Sequence, residues 1–263
     1  MIFPSINPVA LNIGPLVITW YGLSYLFGFL LARYYLLFLS KKSFQKISKL
    51  TIDEFFGNSI LGVILGGRLG YVLFYNPFFY FNNPQEIFFI WNGGMSFHGG
   101  LIGVSLAIIY TAKKQKISIL VLSDITSLAS PIGLFFGRIA NFINAELYGR
   151  VTEHPLGIIF PRAGNLPRHP SQLYEAFFEG IILFLFLNLA IFVFKIQKFN
   201  GLLTGMFLFG YGVSRFLIEY VREPDDHLGL FFLDFTIGQI LCFPMIIIGI
   251  SIIYLIYKNA RYN

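Results

Sequence analysis

The sequence predicts an all-α integral membrane protein of about seven transmembrane helices. Three observations carry that expectation: the composition, the spacing of apolar segments and the placement of the lysines. Hydrophobic residues fill 56% of 263 positions and charged residues only 12%, with a mean hydropathy of +0.70. A soluble domain carries about 25% charged residues, so this chain has too little charge to wet a surface, and lipid must be its solvent. Aromatic residues at 19%, with 32 Phe, suit acyl chains and membrane interfaces better than a single soluble core.

Seven apolar segments run at approximately 16–39, 56–75, 98–112, 118–140, 173–194, 202–221 and 235–257. Most approach or exceed the roughly 20 residues that a bilayer crossing needs; the third is shorter and begins inside the preceding loop. Lys41, Lys42, Lys46 and Lys49 separate the first two segments, and Lys113, Lys114 and Lys116 follow the third. Lys195 and Lys198 follow the fifth, and Lys258 and Arg261 the seventh. With seven spans, the N-terminus outside and the C-terminus cytoplasmic, every lysine falls on the cytoplasmic side, as the positive-inside rule requires. This clustering also turns the net charge of +6 and the pI near 9.3 away from nucleic acid, whose phosphates demand a continuous basic face. The N-terminus has no basic n-region and no small-residue cleavage site, and reads as mature protein leading into the first span. Residues 1–263 are expected to form one polytopic domain.

On the outer side, residues 76–97 are rich in aromatics and carry Pro77 and Pro84, the pattern of an interfacial or re-entrant arm. Residues 145–172 are polar, with four prolines, and are expected to form a small external head. Gly62, Gly66 and Gly70 recur at four-residue steps, a small-residue face for close helix packing. The one cysteine, Cys242, cannot form an intramolecular disulfide and lies among apolar neighbours as a filler.

The residues that promise chemistry are arginines at membrane depth, where an ionised group costs at least about 2.5–3.5 kcal/mol. Arg68, Arg138 and Arg215 lie within or at the ends of apolar segments, whereas Arg33 can snorkel to the cytoplasmic interface. Tyr211, Arg215, Glu219 and Arg222 share one face of a helix. That face is either an ion-pair ladder between helices or a phosphate site. Two arginines against one glutamate leave positive charge over, and guanidinium binds phosphate bidentately. Arg138, Asn141 and Asn144 step along the end of the fourth segment, with Glu146 just beyond, and should face the bundle or a cavity. His98, among the glycines of 93–100, reads either as a general base or as a hydrogen-bonding anchor. There is no HExxH, GxSxG or P-loop pattern, and the Asp225-Asp226 doublet alone makes no magnesium site. No metal or cofactor is expected.

The stretch GRIANFINAELYG at 137–149 resembles the signature of the bacterial prolipoprotein diacylglyceryl transferases. Trp20-Tyr21-Gly22, the run from Gly93 to Gly100, HPSQLYE at 169–175 and YGVSRFLIEYVREPD at 211–225 are similar to other blocks of that family. The resemblance implies transfer of the diacylglyceryl group of phosphatidylglycerol to the thiol of a prolipoprotein signal-peptide cysteine. Glycerol phosphate leaves, and the site faces the periplasm from the bacterial inner membrane. It further implies that Arg138 and Arg215 stabilise the departing phosphate, that His98 or the arginine field favours the thiolate, and that Arg138, Tyr21, Asn141, Glu146, Gly149, Tyr211, Glu219 and Arg222 bind phosphatidylglycerol. A secondary transporter for an anionic solute would also place arginines at depth, but should show an internal repeat with broken helices, and none is seen.

Overall fold

A computed structural model describes residues 1–4, 6–14, 16–42, 44, 47–224 and 235–262. Lys46 and the Asp225-Asp226 doublet lie outside the described residues. The chain divides into two compact units, Met1–Tyr35 with Asp124–Asn263, and Leu36–Ser123.

The architecture is helical, and five helices are long and apolar enough to cross a membrane: Trp20–Lys42, Lys49–Phe74, Ile119–Ile143, Ser171–Phe192 and Ile237–Asn259. They expose apolar side chains broadly: Leu26, Leu30, Leu65, Leu69, Leu185, Ile247 and Leu255 are each about half exposed or more. Contiguous apolar surface on that scale is incompatible with water and matches a lipid-facing exterior. The other two expected segments also fold as helices, α4 (Phe97–Lys114, 18 residues) and α8 (Leu202–Ile218, 17 residues).

In the Leu36–Ser123 unit, α2 (Lys49–Phe74) starts on Ser48, whose side chain accepts the Thr51 amide at 3.1 Å. It packs along α4 through the expected glycine face, which meets Gly99 and Gly103. A Cβ placed on Gly62 would stand 2.5 Å from the Gly103 carbonyl oxygen, and one on Gly70 would stand 2.8 Å from Gly99 Cα. The two backbones are therefore in contact with no room for a side chain. Gly66→Ala is expected to cost about 1–3 kcal/mol by overpacking, read as a lower melting temperature in detergent. An unchanged melting temperature would mean that the helices can part freely.

The 76–97 stretch folds as α3 (Pro77–Asn82) and two 3₁₀ turns, Pro84–Phe88 and Ile90–Asn92. Phe78, Phe81, Phe88 and Trp91 are exposed. Its backbone carbonyls are gathered by Arg68 of α2. The guanidinium donates to Ile87 O at 2.9 Å, Gly94 O at 3.2 Å and Phe89 O at 3.3 Å, and also to Glu86 O and Gly93 O. It also lies 5.1 Å from the Tyr80 ring. Arg68 is thus a buried clamp for irregular backbone rather than a free charge at depth.

The start of the chain corrects the sequence reading. Two strands pair antiparallel, β1 (Val9–Ile13) against β2 (Leu16–Thr19), so the first helix, α1, runs from Trp20 to Lys42 instead of beginning at residue 16. Apolar, β-branched residues in both strands favour that pairing, and Gly14 takes the left-handed backbone (φ +58°) that follows β1. The first residues do not simply lead into a span. The Met1 amine donates to Gly157 O at 2.7 Å and Phe3 N to Ile159 O at 3.1 Å. Phe3 joins Ala145, Ile158 and Phe160 in a buried cluster with Phe142 and Tyr148. The 145–172 segment is therefore a small head with its own core, completed by the N-terminus.

α5 (Ile119–Ile143) carries buried Asp124, whose carboxylate accepts Gly201 N at 2.7 Å and both Thr204 N and Oγ1 at 2.8 Å. It caps α8 across the fold, satisfying amides that the first turn leaves open. α8 packs on α9 (Ile237–Tyr262) through Gly205 and Gly249. α9 opens with a reciprocal capping box, Thr236 N to Gln239 Oε1 at 3.1 Å and Gln239 N to Thr236 Oγ1 at 3.2 Å. Cys242 is buried in α9.

Candidate functional site

Between α6 (Ser171–Glu175) and α7 (Leu183–Phe192) the helix continues through a π-helical stretch, Ala176–Ile182. Such widened turns recur where a side chain must be re-aimed. Gly180 permits close approach to α5, since a Cβ there would stand 2.8 Å from Phe135 Cβ. The consequence is that Glu175 and Glu179, both fully buried, meet Arg138 of α5. Arg138 Nε lies 3.2 Å from Glu175 Oε2 and Nη2 lies 3.6 Å from Glu179 Oε2.

Glu175 also draws in the arginines of α8 and the turn after it. Its Oε1 pairs with Arg215 Nη1 and, at 2.9 Å, with Arg222 Nη1. Arg215 Nη2 in turn pairs with Glu219 Oε2 at 2.8 Å, and Thr236 Oγ1 donates to Glu219 Oε1 at 2.9 Å. Tyr211 is an electrostatic neighbour of Glu179, Arg138 and Arg215, its ring stacked on Phe207 at 5.8 Å.

This arrangement corrects one expectation. The surplus positive charge inferred on the sixth segment is absent as a formal count: Arg138, Arg215 and Arg222 stand against Glu175, Glu179 and Glu219. The sequence reading missed Glu175 and Glu179 because it balanced charge one helix at a time. The signal was available, since two carboxylates four residues apart in an apolar segment meet the test that singled out the arginines.

A second polar group forms where α5 ends. Ala145 and Leu147 adopt left-handed backbone, at φ +52° and +57°, a costly conformation for residues with a Cβ. That turn folds Glu146 back on the helix it has just left. Glu146 Oε1 accepts Asn141 Nδ2 at 2.8 Å and Asn144 Nδ2 at 3.4 Å, while Gln172 Nε2 donates to Glu146 O at 2.6 Å. Tyr21 of α1 is an electrostatic neighbour of Asn141 and Glu146, and its hydroxyl lies 3.4 Å from that of Tyr25. The structure thus brings Tyr21, Asn141 and Glu146 together, as it does Arg138, Tyr211, Arg215, Glu219 and Arg222.

Gly149 connects the head to Arg222. Its amide donates to His169 O at 2.8 Å, and it bridges Arg222 in antiparallel fashion. Arg150 N donates to Val221 O at 2.9 Å and Arg150 Nε to Arg222 O at 3.0 Å. A Cβ on Gly149 would stand 2.8 Å from that of His169, so no other residue lets these three backbone segments meet. Burial, with His154 nearby, holds the His169 imidazole below its ordinary range. A cavity of about 360 Å³ borders Glu146, Tyr148, Arg162, Arg168, Arg222 and Glu223, with Arg168 paired to Glu223 at 2.9 Å. His98 belongs to the other unit, exposed on the first turn of α4 after the Ser96 cap.

A family model described as Prolipoprotein diacylglyceryl transferase matches residues 8–255. Relatives called Phosphatidylglycerol--prolipoprotein diacylglyceryl transferase include one from Rickettsia bellii (strain OSU 85-389), 50% identical over 98% of this chain and 97% of its own. Another, from Wolbachia pipientis wMel, is 49% identical over 98% of both chains. A third, from Rickettsia canadensis (strain McKiel), is 50% identical over 96% of this chain and 98% of its own.

Proposed function

Since the chain belongs to the prolipoprotein diacylglyceryl transferase family, we propose that it transfers the diacylglyceryl group of phosphatidylglycerol to the thiol of a prolipoprotein cysteine. The observation that carries this reading at the site is the convergence of Arg138, Arg215 and Arg222 on buried Glu175, which gathers three guanidinium groups, the donors that bind a phosphate, at one place. In the reaction, sulfur attacks the glycerol carbon that bears the phosphate. The S–C bond forms, the C–O bond breaks, the thiol proton passes to a base, and glycerol phosphate leaves. The leaving oxygen gains charge, and Arg138 and Arg215 stabilise it. Tyr21, Asn141, Glu146, Gly149, Tyr211, Glu219 and Arg222 line the lipid site. A thiol of pKa about 8.5 is mostly protonated at neutral pH, and His98 is the base assigned to take its proton. The nucleophile arrives with the peptide, so Cys242 has no part in the chemistry.

The test is a purified-protein assay with phosphatidylglycerol and a synthetic signal peptide, followed by mass spectrometry. A diacylglyceryl mass gain is expected with the cysteine peptide and not with its serine counterpart; no gain from folded protein would overturn the reading. Full activity in His98→Gln would remove His98 from the mechanism.

The same reading places the protein in the bacterial cytoplasmic membrane with seven spans, the N-terminus and the site outside and the C-terminus cytoplasmic. The lysine clusters support this orientation, because each follows a helix end on the side so assigned. An alkaline phosphatase reporter joined after Gly164 is expected to be active and one joined after Tyr257 inactive. The opposite pattern would invert the topology.

A further inference from the structure

We propose that Glu175 is a positioning residue that fixes the three arginines and lowers their collective charge, so that a lipid phosphate binds and its phosphate-ester product still leaves. This rests on the transferase reading above. Among the described residues, Glu175 is the only carboxylate that meets Arg138, Arg215 and Arg222 together. Glu179 reaches only Arg138, and Glu219 is shared between Arg215 and Thr236. Glu175 has no solvent exposure, and the helix that carries it is held against α5 at Gly180. Its position is therefore set by packing, and the guanidinium groups, which repel one another, take theirs from it.

The charge matters as much as the spacing. Counted as ionised, the three carboxylates cancel the three guanidinium charges. The substrate headgroup is a phosphodiester with one negative charge, while the product is a monoester with nearly two at neutral pH. Unbalanced positive charge would therefore hold the product more tightly than the substrate. Product held that tightly leaves slowly, and its release then limits turnover.

Glu175→Gln keeps the shape and removes the charge. It is expected to lower the inhibition constant of glycerol phosphate about tenfold or more, because a neighbouring charge acts strongly at a buried site. It should lower KM for phosphatidylglycerol by less, and kcat at least about tenfold. Glu175→Asp, which retains the charge, should leave glycerol phosphate inhibition near that of the unaltered protein. A residue that only supports the fold would reduce the folded fraction and leave the inhibition constant of the folded protein unchanged. That result overturns the proposal.

If Glu175→Gln yields no folded protein, Glu175→Gln/Arg222→Gln restores neutrality and is expected to fold. Failure of both variants would show that charge balance is not what Glu175 provides. Calorimetric titration with glycerol phosphate needs no turnover and measures the same tightening directly. An unaltered protein without transfer activity would defeat the transferase reading, while calorimetry on the variants would still decide the role of Glu175.

Discussion

Arg138→Lys is expected to lower kcat for diacylglyceryl transfer about 10²–10³-fold, the scale of losing one preorganised donor to a developing oxyanion, while the protein stays folded. The arginine spans two carboxylates with different nitrogens, Nε toward Glu175 at 3.2 Å and Nη2 toward Glu179 at 3.6 Å. A lysine ammonium preserves the charge that neutralises this buried pair. It is a single point, however, and cannot meet both carboxylates and present a flat donor edge to a phosphate. Arg138→Ala separates the two contributions. It strips Glu179 of the one ion pair it makes among the described residues, and breaking a buried pair from one side costs about 3–5 kcal/mol. The alanine variant should therefore lose both melting temperature and activity, the lysine variant mainly activity. Steady-state transfer rates at matched folded concentration decide it. A lysine variant with the unaltered rate would remove Arg138 from the chemistry.

The legibility of this protein in its sequence follows how local each feature is. The long helices are read from composition because every residue in them reports on the same solvent. The glycine face of α2 is equally plain, since Gly62, Gly66 and Gly70 share one side of one helix; what that side meets, Gly99 and Gly103, is not written locally. The arm was visible in its aromatics and prolines, but the carbonyls that Arg68 holds lie up to 26 residues along the chain. The pairing of residues 1–3 with 157–159 has no signature in either segment alone. Asp124 could not be read as a cap, because the helix it caps begins almost 80 residues later. Within the site, the signature stretch disclosed Arg138, Asn141 and Glu146, yet not the left-handed turn at Ala145 and Leu147 that folds the glutamate back. The π-helical stretch at 176–182 was the least legible feature. Its apolar residues look like any span, and only the tertiary packing at Gly180 and Phe135 reveals that Glu175 and Glu179 turn inward.

Arg68 poses the opposite problem to Arg138, a buried arginine whose loss should act on the fold first. Arg68→Lys is expected to destabilise the Leu36–Ser123 unit by several kcal/mol, at about 1–3 kcal/mol for each carbonyl left without a donor. The guanidinium divides three nitrogens among five carbonyls of residues 86–94, and its planar fork matches their spread. An ammonium on a flexible stem reaches fewer of them at once. The freed carbonyls belong to 3₁₀ turns and the glycine pair Gly93-Gly94, which make few backbone bonds of their own, so the segment between Pro84 and Met95 should open before the helices do. Limited proteolysis in detergent is expected to cut there in the variant and not in the unaltered protein, with a lower melting temperature. Retained charge without retained order would show that the geometry of the donors, not the positive charge, is what residue 68 supplies. The contrary result, an intact segment and unchanged melting temperature with weakened phosphatidylglycerol binding, would make Arg68 a ligand group and return it to the company of Arg138 and Arg215.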